Sequence, residues 1–515
     1  MEAKLGAMNS AASNTVTNNT VQADLQALSR QGTGAFRVSL ADAPFIECLE
    51  IVRRVPDKRI VCRGIWNNQS VYAKLFIGDQ AQRYAARDLR GVRALTEAGI
   101  ATPSLLHAGA IAGRSAELGN IGEVLIFATV ADSVNAEQAW DSLFDQGKRR
   151  LLAQSLVREV AHHHQAGLIQ HDLYLKNFLL QGKKIYTLDG DSIRLMPKLL
   201  GRKAALKNLA ILLSKFDVSD EAICFDELLA LYAQVRGWQT APDSNMMHAL
   251  ALAHQHKVAK DYAEKKVFRQ CSDVQVEKTT DFFQAISHNF ASEALRQALK
   301  NPDALLEDKQ KYRLKSGNTC TVSTTEVDGR EIVVKRYNIK NFWHGLSRAL
   351  RPTRAAVSWA NAHRLIIYRV AAAAPVALLE RRYGPIRRQA YFLAEYIDAP
   401  DAVEFFADVT VNSVQKSVVA DNIARMFYKL YLLRIEHGDC KATNIKIAGD
   451  KPVLLDLDSM REHRCDWFFS MRHVRDLRRF MRNWQQDRTI QCTLAQAFRA
   501  VYKDTGLLDR AGYKN

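Results

Sequence analysis

Apolar residues recur at helical spacing in two places far apart in this chain. Leu152, Leu156 and Val160 form one stripe; Val419, Ile423, Met426, Leu430 and Leu433 form the other. Steps of three and four residues predict an amphipathic helix in each place. Each stripe runs into a polar loop and then a short apolar run, Lys184–Leu188 or Pro452–Leu455, of strand length. Upstream of each, a β-branched run ends on a lysine, Val71-Tyr72-Ala73-Lys74 and Ile332-Val333-Val334-Lys335. Downstream of each, a further helical pattern carries Lys207-Asn208-Leu209 or Arg475-Asp476-Leu477.

The polar loops repeat in register. His171-Asp172-Leu173-Tyr174-Leu175-Lys176-Asn177 answers His437-Gly438-Asp439-Cys440-Lys441-Ala442-Thr443-Asn444, with Asn five residues after Asp in both. Twelve residues after each Asn comes an acid ending the next strand, Asp189 or Asp456. So long a period is a duplicated domain rather than a solenoid. The pattern predicts an α+β protein of two tandem domains, each with a small β-rich part followed by a helical part. Residues 1–34, rich in Ser, Asn, Thr, Ala and Gln, read as a disordered tail. The first domain is expected over 35–300 and the second over 301–515, joined near Asn301-Pro302-Asp303. The stretch 250–300 reads as helical.

These residue types suit phosphoryl transfer, which asks for positioning and charge neutralisation rather than covalent help. A strand lysine can hold phosphates, which assigns Lys74 and Lys335. An Asp after a helix can orient a hydroxyl and take its proton, which assigns Asp172 and Asp439. An Asn followed by a strand-end Asp offers oxygen ligands to Mg2+, which assigns Asn177 with Asp189 and Asn444 with Asp456. Asp191 and Asp458 are alternatives to the last of these, read instead as holding the loop through local hydrogen bonds. The bland reading, turn and cap residues, explains neither the upstream lysine nor the repeated register.

Composition narrows the picture further. At 515 residues the chain exceeds one ordinary core. It is 47% hydrophobic and 25% charged, with no apolar run long enough to span a bilayer and no secretory signal pattern. Its eight cysteines lack metal-ligand spacing and read as free thiols. The net charge of +17 favours an anionic partner, a membrane face or a phosphorylated substrate. No zinc-finger or RNP-type motif is present, so no nucleic-acid partner is expected.

With these motifs in hand, the chain resembles the lipopolysaccharide core kinases, the family of heptose and Kdo kinases. The resemblance is carried by Val334-Lys335-Arg336-Tyr337-Asn338-Ile339-Lys340, by Arg351-Pro352-Thr353-Arg354-Ala355, and by Ser358-Trp359 with Asn361-Ala362-His363-Arg364-Leu365. In the first half, Ala98-Gly99-Ile100-Ala101-Thr102-Pro103 is similar to the family's turn after its first helix. The resemblance implies a two-lobed protein-kinase-like fold, ATP and Mg2+, and a sugar hydroxyl of the lipid-linked inner core as acceptor. It also implies a cytoplasmic location, with peripheral contact on the anionic inner membrane.

Kinases pair the strand lysine with an acid on the following helix. Asp88 stands there in the first copy and Ser358 in the second, leaving Lys335 without an acid from that helix. Lys441, two residues after Asp439, stands where a loop cation meets the γ-phosphate; the first copy has Tyr174 there and Lys176 nearby. Gly64 and Gly317 are the glycines before each strand lysine, and neither copy has a full glycine-rich loop. Other readings stay open: one catalytic copy regulated by the other, or a small-molecule kinase of the aminoglycoside or choline type.

Smaller features have plain readings. His162-His163-His164 reads as a helix-end run, and His171 and His437 as braces of the polar loops. Asn341–Arg354 and Arg461–Arg488 mix aromatic with basic residues and read as amphipathic helices, with a membrane surface as the alternative.

Overall fold

The computed structural model describes residues 24–30, 34–113, 120–220, 222–307, 315–316, 320–338, 352–384 and 386–513. The protein is α+β. It divides into two compact units. One comprises the chain up to Ala139 with Gln165–Asp172 and Lys176–Leu195; the other comprises Trp140–His164, Leu173–Leu175 and Met196 onward.

The first unit is built on a six-stranded antiparallel sheet in the order Phe36–Val38, Ile46–Val55, Arg59–Trp66, Gln69–Ile77, Asn120–Ala128, Leu105–Ala112. Side chains alternate across a strand, so Val71, Ala73 and Leu75 face a core with Ile46, Cys48, Ile60, Cys62, Val124 and Ile126. On the other face, Phe76, Leu125 and Phe127 pack on the helix Ala81–Glu97. Lys74, in register with Phe76, therefore points to the helix side. The helix buries Ala81, Ala85, Asp88, Val92 and Leu95. Asp88 thus lies inside an apolar stripe, and the stripe carries its carboxylate to the sheet.

The second unit contains a seven-stranded antiparallel sheet: Val274–Lys278, Phe282–Ser287, Pro375–Tyr383, Ile386–Glu395, Arg330–Tyr337, Cys320–Val327, Lys315–Ser316. The helix Arg354–Ile367 packs on it, started by Thr353, whose side chain accepts from the Ala356 amide at 3.0 Å. The helix Ser244–Glu264 lies in the same unit, with Glu264 3.0 Å from Arg364 and His256 3.2 Å from Glu462.

Three expectations need correction. The boundary near 300 falls inside the second sheet, because residues 274–287 pair with Pro375–Tyr383. That stretch is not all helical: Val274, Val276, Phe283 and Ala285 alternate around the polar turn Thr279-Thr280-Asp281, which is a hairpin pattern. The expected tail contains a helix, Leu25–Arg30, which buries Leu25 and Ser29; the Ser29 hydroxyl accepts from the Asp57 amide at 2.9 Å. Residues 1–23 lie outside the described residues, as do Gly317 and most of the Asn341–Arg354 stretch.

The duplication is visible in the small sheets. Phe178–Gln181 pairs with Lys184–Thr187, and Ile445–Ala448 pairs with Lys451–Leu454. Gly182 and Gly449 sit in the connecting turns at φ +58° and +68°, a backbone region that favours glycine. Leu168–Gln170 pairs with Ile193–Leu195, and Ile435–Glu436 with Arg461–Glu462. Among the described residues no helix is long and apolar enough to cross a membrane.

Candidate active sites

In the first copy Lys74 Nζ lies 2.6 Å from Asp88 Oδ2 and 3.7 Å from Asp189 Oδ1. Burial pushes the Asp88 carboxyl above its usual range, and the Lys74 ammonium pulls the other way. Arg59 was not singled out by sequence. Its Nη1 lies 3.9 Å from both Asp88 and Asp189, on the first residue of the strand after the turn Pro56-Asp57-Lys58. Gly64, the glycine before Lys74, lies mid-strand, where a Cβ would meet the Glu47 carbonyl oxygen at 2.2 Å; its role is strand packing.

Asp189 and Asp456 both adopt left-handed backbone, at φ +66° and +58°. A non-glycine residue there is uncommon. Its recurrence at matching positions gives each aspartate the same setting. Asn177 Nδ2 donates to the Asp172 carbonyl at 2.8 Å, and Asn444 Nδ2 to the Asp439 carbonyl at 2.8 Å. The Leu188 amide then donates to Asn177 O at 2.8 Å and the Leu455 amide to Asn444 O at 2.9 Å. Each Asn is thus tied by its amide nitrogen and its backbone, leaving Oδ1 as a hard oxygen donor beside the left-handed Asp. That donor set fits Mg2+, which takes one or two protein oxygens and fills its shell with phosphate and water. Among the described residues no group of three or more His, Cys, Asp or Glu could hold a metal by itself.

In the second copy Lys335 Nζ lies 3.1 Å from Asp456 Oδ1. Burial raises the Asp456 carboxyl, but Lys335, helped by the fields of His437 and Arg354, holds the group below its usual range. Ser358 is buried and bonded to the Tyr337 hydroxyl at 3.1 Å. Strand pairing exposes a second loss. Arg59 pairs with Phe76, two residues past Lys74; Cys320 pairs with Tyr337, two residues past Lys335. The second copy therefore lacks both the helix acid and the hairpin arginine, and Lys335 turns to the remaining aspartate.

The polar loops differ in the opposite sense. Asp439 contacts Arg479, and Lys441 Nζ lies 3.5 Å from Asp439 Oδ2. The buried carboxylate of Asp476 accepts from the His437 amide at 2.7 Å and the Gly438 amide at 3.1 Å. Burial pushes the Asp476 carboxyl up to about 7, against the pull of those two donors. His437 is buried and its Nε2 meets the Leu455 carbonyl at 2.9 Å, so it braces the loop. In the first copy Asp172, Lys176 and His171 are exposed. Gln170, rather than His171, takes the bracing role, its Nε2 donating to the Leu188 carbonyl at 3.0 Å. Asn208, which answers Asp476, meets His164 Nε2 at 3.0 Å, and the Tyr232 hydroxyl meets His164 Nδ1 at 2.8 Å. His163 and His164 of the histidine run are thus buried core groups. Tyr174 receives Lys215, whose Nζ lies 4.2 Å from the ring centroid.

The second acid of each pair reaches beyond its own loop. Arg87 Nη2 lies 2.8 Å from Asp191 Oδ2, and Arg354 Nη2 lies 2.5 Å from Asp458 Oδ2. Both arginines sit on the helix after the lysine strand, so these acids latch loop to helix. In the first copy the same contact needs Gly91 and Gly190: a Cβ on Gly91 would meet the Gly190 carbonyl oxygen at 1.9 Å.

No curated protein matches this chain. The model of the lipopolysaccharide kinase (Kdo/WaaP) family matches residues 74–234 and 304–502, both copies of the repeat. That match covers more than half of the sequence, and the chain belongs to the lipopolysaccharide kinase (Kdo/WaaP) family.

Proposed function

We propose that the protein transfers the γ-phosphoryl group of ATP to a sugar hydroxyl of a lipid-linked lipopolysaccharide core, using two kinase-like sites. The observation that carries this reading is the repeated brace, in which Asn177 or Asn444 is bonded to the loop aspartate beside a left-handed Asp189 or Asp456. Asp172 and Asp439 orient the acceptor hydroxyl and accept its proton as the oxygen attacks phosphorus. Lys74 and Lys335 hold phosphate oxygens, with Asp88 aligning Lys74. Lys441 and Lys176 neutralise charge near the transferred group. Asn177 with Asp189, and Asn444 with Asp456, would hold Mg2+, which when bound neutralises charge on the phosphates.

The test is phosphate transfer from labelled ATP to purified core lipopolysaccharide by wild type, Asp172→Ala, Asp439→Ala and the double variant. Loss of a different product phosphate in each single variant supports two active sites. Loss in one variant only reduces the reading to one catalytic copy. No transfer by wild type to any core acceptor sinks the acceptor assignment.

A further inference from the structure

The helix Asp466–Met481 buries Phe469, His473, Val474, Leu477 and Phe480. Its opposite face is apolar at the start and basic afterwards. Trp467 is 72% exposed, Phe468 38% and Met471 41%. Arg475, Arg478 and Arg482 continue that face and are exposed; Arg461 and Arg464, just before the helix, are exposed too. The acids nearby are already engaged: Asp466 lies 2.6 Å from Arg434, and Glu462 lies 3.2 Å from His256. The aromatic residues therefore project from a field of arginines with little opposing charge.

The first copy repeats the arrangement. Leu199 precedes Asn208 by the interval that separates Trp467 from Asp476, and it is fully exposed. Lys198, Arg202 and Lys203 around it are exposed as well. An exposed leucine or tryptophan amid cations at the same place in two copies is not what a solvated helix face requires.

We propose that Trp467, Phe468 and Met471, ringed by Arg461, Arg464 and Arg475, form a docking surface for an anionic lipid bilayer. Tryptophan and phenylalanine suit the headgroup boundary, and arginines there gain from anionic lipid. This surface rests on the kinase reading, since it would hold the enzyme where a lipid-linked acceptor lies.

The full chain is mixed with phosphatidylcholine vesicles, with and without phosphatidylglycerol, and pelleted. Wild type should bind the anionic vesicles and not the neutral ones. The Trp467→Ser/Met471→Ser variant should bind on the order of tenfold more weakly, as should Arg461→Gln/Arg475→Gln. Both should keep the wild-type melting temperature and transfer to core oligosaccharide freed of lipid, while losing transfer to acceptor in vesicles. Equal binding to neutral vesicles, wild-type binding by the variants, or pelleting only when a polynucleotide is present would overturn the surface. Transfer to the lipid-free oligosaccharide is read separately, so failure of the kinase reading is not mistaken for failure of the surface.

Discussion

The two copies of the repeat have kept different parts of one site. The first keeps the strand end: Lys74 on Asp88, with Arg59 beside them. The second keeps the loop end: Asp439 with Arg479 and Lys441, on amides held by Asp476. At the first site Asp88 occupies the lysine. At the second, Asp456 must be both the counter-ion of Lys335 and a candidate metal ligand. The differences also come as a charge pair, since Asp88 and Arg59 of the first copy stand where the second has Ser358 and Cys320. Removing Asp88 alone would leave two largely buried cations, Lys74 and Arg59, with Asp189 as their remaining acid, which is the costly outcome; removing Arg59 alone leaves Asp88 on Lys74.

The sharpest way to break this contrast is to remove the first copy's acid. Asp88→Ala leaves Lys74 in a largely buried site, and losing one partner of a buried pair costs about 3–5 kcal/mol. Ser358→Ala loses one neutral hydrogen bond, worth about 1 kcal/mol. Thermal denaturation of the full chain should therefore show a much larger drop for the first. Equal drops would mean the lysine–acid pair does not distinguish the copies.

Acid should act on both copies. Burial pulls His164 of the first down to about 3, and His473 and His363 of the second to about 3 and 4. These groups stay neutral when folded but take protons when unfolded below the ordinary histidine range. Their contribution is complete above about pH 6.5 and is lost progressively as pH falls toward 3–4, at about 1.4 kcal/mol per histidine per pH unit. Between pH 6.5 and 5 the three together contribute a loss of about 4 kcal/mol per pH unit, offset in part by Asp476, whose raised carboxyl takes up a proton on folding, so the melting temperature should fall through that range. A flat profile there would contradict the burial of all three. Replacing His164 by Gln should remove about a third of the histidine contribution to the slope.

Arg59 sharpens the comparison at smaller scale. Arg59→Ala should weaken nucleotide binding at the first site about tenfold, with partial recovery in Arg59→Lys, as for a charge-assisted phosphate contact. Cys320→Ala should leave the second site unchanged. Isothermal titration in an Asp456→Ala background for Arg59, and in an Asp189→Ala background for Cys320, silences the other copy's metal-holding acid and separates the two sites; equal effects would remove Arg59 from the phosphate site. The smallest effect is expected of Ser358→Asp. A new carboxylate on the helix should draw Lys335 from Asp456 and shift the Mg2+ midpoint for nucleotide binding down by about threefold, the scale of a partly exposed ion pair. An unchanged midpoint would show that Lys335 does not compete with the metal.

Much of this was legible in sequence because it is local. The Asp–Asn spacing, the strand-end Asp and the helix acid Asp88 all depend on residues a few turns apart. Strand and helix periodicity carried them to where the structure has them. Gln170 was overlooked because His171, beside it, is the more familiar residue in such a loop. The register with His437 was nevertheless present, and Leu188 O and Leu455 O receive the two side chains alike. The hairpin at 274–287 was passed over because helical segments flank it, and its pairing partner lies about a hundred residues onward.

The sequence by itself determined that there are two copies, which residues stand in the polar loops, and that the second copy lacks an acid on its helix. Only the tertiary structure decided what Lys335 does about that lack, because the answer depends on Asp456 approaching across the fold. Likewise it decided that Cys320 stands in the place of Arg59, a match visible only through strand register, and that Asp191 and Asp458 serve as latches to Arg87 and Arg354. It also divided the aromatics near the C-terminus, burying Phe469 and Trp484 and leaving Trp467 outside. Local order is set by near neighbours along the chain. Partners of charges and the exposure of a ring are set by what packs against them from elsewhere, and one sequence position does not carry that information.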